Sequence, residues 1–249
     1  MTATHAVIIF IAGLGAGTIN AVVGSGSLIT FPTLIALGYP PVLANVSNDI
    51  GLVPGAISAV YGYRRELKGQ RERLMRLVPA SIAGGLIGAV LLLVLPSSIF
   101  KRVVIVLILI ALALVVLQPR LAAYLHARGG ARRREVGAGL WVLVAATGIY
   151  GGYFGAAQGI ILIALLGLLI RDELQRLNAA KNVLAGSVNL VASVVFVIAT
   201  NVDWKVAGLI AAGSIVGGQV GATVGRRLDP RVLRSVIVVV GCVALVRLL

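Results

Sequence analysis

Cysteine, histidine and charge are all scarce in this chain of 249 residues. The single cysteine, Cys242, excludes an internal disulfide and any metal cluster built on cysteines. The two histidines, His5 and His126, lie near the N-terminus and in a basic stretch, so no histidine-rich site is visible. An HExxH motif is missing, and no serine–histidine pair is placed for catalysis. Those absences argue against an intramembrane enzyme and leave no cofactor or metal to expect. The opening residues, MTATHAVIIF, lack a basic leader and a convincing small-residue cleavage site. They read as the start of a retained membrane segment rather than a signal peptide.

What is present is apolar. Hydrophobic residues make up 59% of the chain, charged residues 12%, and the mean hydropathy is +1.04. A soluble domain carries roughly 25% charged residues, and one core of this size could not hide so much apolar surface. The composition therefore predicts an integral membrane protein with a single membrane domain over 1–249. The formal charge of +14 could suggest nucleic acid. Position argues otherwise, because the basic residues sit in short stretches between apolar runs, as insertion with a positive cytoplasmic side requires.

A spanning helix needs about 20 apolar residues. Six stretches qualify: 42–62, 77–95, 103–118, 178–200, 206–225 and 235–249. Two more, 5–37 and 136–170, are too long for one crossing and carry glycines near the middle. Each reads as a broken or re-entrant helical pair. Helices are expected throughout, since open strands cannot satisfy their backbone in lipid and the alternation of a β-barrel is missing.

Apart from Lys101, Arg102, Lys205 and Arg247, every Lys and Arg falls in 62–76, 119–135, 171–181 or 226–234. Placing those stretches in the cytoplasm puts both termini outside and makes the two long segments enter from opposite faces. The chain then reads as two inverted repeats, about 5–118 and 136–249, joined by a basic linker at 119–135. Each repeat is a broken pair followed by three membrane helices. A shift of 133 supports this, laying Gly15 on Gly148, Gly26 on Gly159, and Asn45, Asn48, Asp49 on Asn178, Lys181, Asn182. The i, i+3, i+4 spacing puts each triplet on one helical face.

Inverted repeats with interrupted helices typify secondary transporters, which bind substrate near the midplane. Here the interruptions are VVGSGSL (22–28) and YGGYFGAAQGI (150–160). A break frees N–H groups at the positive end of a helix, where an anion is favoured. The candidate substrate-binding set is Gly24, Ser25, Gly26, Ser27, Asn45, Asn48, Gly155, Gln158, Gly159, Asn178, Lys181 and Asn182. Asp49 is the candidate for coupling to protons. Ionisable residues within membrane helices are functional candidates by default, although Lys181 could instead snorkel to the interface. Gly84, Gly88, Gly213, Gly217, Gly221 and Gly225 read as helix-packing positions, and the ridge 213–225 suits either internal packing or a dimer.

Three stretches carry a family resemblance: AGTINAVVGSGSLITFPTLIALGYPPVLANVSNDIGLVPG (16–55), GIYGGYFGAAQGIILIALLGLL (148–169) with LNAAKNVLAGSVNLVASVVF (177–196), and DWKVAGLIAAGSIVGGQVGATVGRRLDPRVLR (203–234). Together they resemble the TauE/SafE-type sulfite exporters, also called the toluene-sulfonate uptake permease family. The resemblance implies a plasma-membrane permease for sulfite, thiosulfate, sulfoacetate, sulfonates or other organic anions. Where many members carry a run of glycines, this chain has GSGS and GAAQG. The expected partners are a small anion, protons as a candidate co-substrate, and the lipid bilayer. An anion channel or an uncoupled uniporter is the alternative.

Overall fold

The computed structural model describes residues 1–127, 137–224 and 230–248. Ten helices are found among them: α1 (Ala3–Val22), α2 (Ser27–Ala36), α3 (Pro41–Gly62), α4 (Arg71–Val94), α5 (Ser97–Ala127), α6 (Ala138–Tyr153), α7 (Gln158–Leu169), α8 (Leu174–Ala199), α9 (Trp204–Thr223) and α10 (Pro230–Leu248). Four of these, α1, α4, α8 and α9, are long and apolar enough to cross a membrane. α2, α6 and α7 are apolar but shorter. The architecture is that of a polytopic helical membrane protein. Gly225 and the basic clusters at 128–134 and 226–227, assigned above to packing and to topology, lie outside the described residues.

Both long apolar segments are broken where the glycines predict. α1 runs to Val22 and ends in Gly24 at φ +86°, while α6 runs to Tyr153 and ends in Gly155 at φ +70°. Only glycine takes this left-handed region at little cost, which is why it closes helices. Each of these glycines donates its N–H to a carbonyl five residues back, Gly24 to Ile19 O at 3.1 Å and Gly155 to Tyr150 O at 3.1 Å. Gly24 and Gly155 thus hold the same place in their breaks. Gly26 and Gly159, paired by the shift of 133, do not: Gly26 lies against Ala16 O and Gly159 against the Gly24 backbone.

Small residues set the helix packing. In lipid there is no hydrophobic gain from bringing apolar helices together, so close van der Waals approach has to hold them. A methyl group at Gly213 or Gly217 of α9 would run into the α1 backbone at Phe10 or Leu14, and one at Gly221 into Thr18. The ridge 213–221 therefore serves internal packing. On the other side of the molecule, Gly84 and Gly88 of α4 meet the α6 backbone at Ala145 and Ile149.

This predicts opposite outcomes for two Gly→Ala changes on α9. Gly217→Ala should cost about 1–3 kcal/mol by overpacking, while Gly208→Ala, with nothing within 4 Å of the new carbon, should be neutral or stabilise by up to about 1 kcal/mol. Thermal unfolding of the purified variants in detergent reads both, and equal effects would contradict the packing described.

Candidate functional site

The two breaks meet. Gly159 N–H donates to Gly24 O at 3.0 Å, and the backbones touch so closely that a side chain on either glycine would strike the other. Phe31 of α2 and Phe154 of the second break stack edge to face with centroids 5.1 Å apart, worth about 0.5–1.5 kcal/mol beyond burial. Phe100 of α5 lies beside both Phe154 and Tyr153. The chain thus crosses itself at the breaks, in a shell of aromatic and small side chains.

Breaking a helix orphans carbonyls at its end and amides at the next start. The carbonyls at the end of α1 are held by α8. Lys181 Nζ donates to Asn20 O (3.0 Å) and Ala21 O (3.4 Å), and the Nδ2 groups of Asn178 and Asn182 donate to Ala21 O at 3.1 and 3.2 Å. Asn178 also donates to the Tyr63 hydroxyl at 2.9 Å. Lys181 is 1% exposed and takes part in none of the ion pairs found among the described residues. Its Nζ sits at the negative end of the α1 dipole, where a cation is favoured. The end of α6 is treated alike, with Asn45 Nδ2 of α3 donating to Tyr153 O at 3.2 Å.

The starts of α2 and α7 are another matter. Neither has a side-chain cap. Asn20 Oδ1 accepts the Gly26 N–H at 3.5 Å, at the limit of a hydrogen bond. Asn48 Nδ2 donates to Ser27 Oγ at 3.2 Å, and the Thr30 hydroxyl donates to Asn48 Oδ1. Ser25 Oγ and Gln158 Nε2 are buried with no hydrogen-bond partner, as is the Tyr153 hydroxyl. An unpaired buried polar group costs roughly 1–3 kcal/mol, so these are groups that a ligand could satisfy.

The sequence-derived residues fall into three sets. Gly24, Gly155 and Gly159 form the crossing; Asn45, Asn178, Lys181 and Asn182 hold helix ends; Ser25, Ser27, Asn48 and Gln158 stand at helix starts. Gly26 belongs with the starts but packs against α1. Asp49 stands apart from Lys181, facing α8, where Ser193 Oγ donates to its Oδ2 at 3.1 Å. Sequence reasoning missed Asn20, Thr30 and Ser193. Asn20 was within reach, as the last polar residue before the first break; Thr30 and Ser193 matter only through partners distant in sequence.

A helical membrane protein with two broken helices crossing at their glycines, and flanking amides on their freed carbonyls, has the build of a membrane transporter. The sulfite exporter TauE/SafE family model matches residues 9–248, and the chain belongs to that family. It is 28% identical over 235 residues to a probable membrane transporter protein of Haemophilus influenzae, covering 93% of this chain and 89% of the relative. It is 24% identical to the probable membrane transporter protein YfcA of Escherichia coli K12, covering 97% and 88%. It is 27% identical to the probable membrane transporter protein ORF9 of a Sinorhizobium species, covering 97% and 91%. No solved structure matches. Family and relatives indicate a membrane transporter rather than an enzyme.

Away from the crossing, a charged clasp joins the loops after α3 and α7. Asp172 accepts from Arg73 Nη1 at 2.8 Å and Arg176 Nε at 2.9 Å, Arg176 Nη1 donates to Lys68 O, and the buried Gln70 donates to Arg176 O. Burial alone would raise the Asp172 carboxyl. The hydrogen bonds from Arg73 and the Glu173 N–H, with the charges of Arg176 and Arg73, outweigh burial and hold it below its ordinary value. A carboxyl depressed by folding stabilises the fold above its unfolded pKa, about 3.9, and that gain is lost as pH falls through the lower folded value. Asp172→Asn should therefore cost about 1–3 kcal/mol at neutral pH, with the gap to the parent closing under acid. Thermal unfolding against pH checks this; a gap constant with pH would contradict it.

Proposed function

We propose that this protein is a secondary transporter that exports a small sulfur-containing or organic anion, such as sulfite, thiosulfate or a sulfonate, across the plasma (inner) membrane. The observation that carries the reading is the pair of uncapped helix starts brought together with buried, unpartnered donors on Ser25 and Gln158. Helix starts favour an anion through their dipole, and here the donors left over are side chains, because the N–H groups of Gln158, Gly159, Ile160 and Ile161 already bond to protein carbonyls. Gly24, Gly26, Gly155 and Gly159 let backbone approach the solute, and Ser27 and Asn48 add polar groups beside it. Asn45, Asn178 and Asn182 keep the broken ends in place, and Lys181 contributes positive charge from behind the α1 end. Export and sulfur chemistry rest on the family description.

The site lies between two inverted repeats, about 5–118 and 136–249, with both termini extracytoplasmic. Packing supports the repeat: α1 rests on α9 as α6 rests on α4, α3 on α9 as α8 on α4, and α2 on α10 as α7 on α5. The touching backbones at Gly24 and Gly159 close the space between the breaks at that point, which favours alternating access over a standing channel. Asp49, half-buried on α3 and facing α8 with one serine donor, is the proton-coupling group.

Thermal-shift titration of the purified protein with sulfite, thiosulfate, sulfonates and carboxylates tests the site. A Ser25→Ala/Gln158→Leu protein should bind at least about tenfold more weakly, the loss of roughly 1.4 kcal/mol of hydrogen bonding, and Gly159→Val should end transport while still inserting. Binding unchanged in the double variant would overturn the site, and flux that neither saturates nor shows counterflow would favour a channel.

Coupling is tested separately in proteoliposomes. Asp49→Asn should abolish the response of anion flux to a pH gradient; a response equal to the parent's removes Asp49 from proton coupling.

A further inference from the structure

The sequence repeats are not the units that pack most closely. The fourth helix of each half sits with the other half: α9 lies against α1 and α3, and α4 lies against α6 and α8. Within each trio glycines bring the helices so close that an added carbon would overlap the neighbouring helix. Gly13 and Gly17 of α1 meet α9 at Ile210 and Ser214, and Gly51 and Gly55 of α3 meet α9 at Ile210 and Ser214. In the second trio, Gly84 and Gly88 meet α6, while Gly85 faces α8 at Val188 and Val191. Such surfaces hold the helices at very close approach, and close-packed elements shift between discrete arrangements rather than deform.

The boundary between the trios is built differently. It runs between α3 and α8, where a Cβ on Gly186 would rest 3.4 Å from the Ala56 Cβ, an ordinary contact with room to give. The rest is polar and side-chain mediated: Asp49 with Ser193, Lys181 and two asparagines on the end of α1, and Asn45 on the end of α6. Those bonds can be exchanged for others without breaking a packed core.

From this contrast we infer that the moving bodies of the transporter are the exchanged trios α1–α3–α9 and α4–α6–α8, sliding along the α3–α8 boundary, and not the two halves of the sequence. The inference rests on the alternating-access reading. It makes a bridge between α3 and α9 harmless although it joins the two halves, and a bridge between α3 and α8 inhibitory.

The test uses the full chain with Cys242→Ser, since Cys242 is exposed and free. Ala56→Cys/Gly186→Cys bridges α3 to α8. Ser58→Cys/Gln219→Cys bridges α3 to α9, where Gln219 Nε2 already donates to Ser58 O at 2.8 Å. After treatment with a short reducible bis-thiol reagent, the first bridge should slow sulfite or thiosulfate flux at least about tenfold, and the second should leave it within about twofold, both reversed by reductant. Equal arrest by both bridges, or free flux through the α3–α8 bridge, overturns the inference. A second readout does not depend on flux. Spin labels at exposed Ile57 and Val194, on α3 and α8, should give two distance populations in proteoliposomes, and labels at Val7 and Val216, on α1 and α9, only one. Failure of the unbridged proteins to move any tested anion would count against the transport reading alone, while a single distance at both label pairs would overturn the trios.

Discussion

Everything at the centre of this protein depends on one constraint: a helix interrupted inside an apolar protein must have its freed backbone groups satisfied from elsewhere. Water is not there to do it, and each unmet group is costly. The two interruptions expose four helix ends, and the structure treats them unequally. The closing ends of α1 and α6 are satisfied by donors from other helices, Asn178, Lys181 and Asn182 in one case and Asn45 in the other. The opening ends of α2 and α7 are left with buried side-chain donors that have no partner. Carbonyls at the closing ends are held by side chains, while the opening ends keep side-chain donors, on Ser25 and Gln158, that no protein group uses.

The same constraint explains why a lysine can be buried with no carboxylate beside it. An isolated ammonium in a low-dielectric interior is strongly disfavoured. Here two carbonyls and the negative end of α1 take the place of a counter-ion. Asp49, the acidic residue on the matching triplet, is turned away toward Ser193 instead. The ion pairs of the described residues gather at the loop side, where Asp172 ties Arg73 to Arg176.

Much of the helix plan was legible in the sequence. The expected spans 42–62 and 206–225 match α3 and α9 to within a few residues, and both overlong segments break at their glycines. Runs of apolar residues and glycine's left-handed freedom are local properties, so local reading suffices for them. Partner choice is not local. Lys181 faces Asn20 and Ala21, far off in sequence, and nothing in the spacing of its triplet says that the target is a backbone carbonyl rather than a solute. The pairing of Gly26 with Gly159 was misleading for a related reason. The segment from the second break to α8 is longer than that from the first break to α3, so one shift cannot align both the breaks and the triplets.

Ser25 and Gln158 stand at the two breaks, in the stretches GSGS and GAAQG. A hydroxyl and a carboxamide supply directional donors there without adding charge. Both are buried and both lack a protein partner, so the fold bears the cost of two polar side chains it does not itself use. Residues that weaken a fold locally, with no compensation within it, are expected where a ligand completes the structure. On the proposed reading, the glycines at the crossing give the solute access to the backbone, and these two side chains supply the donors that hold it.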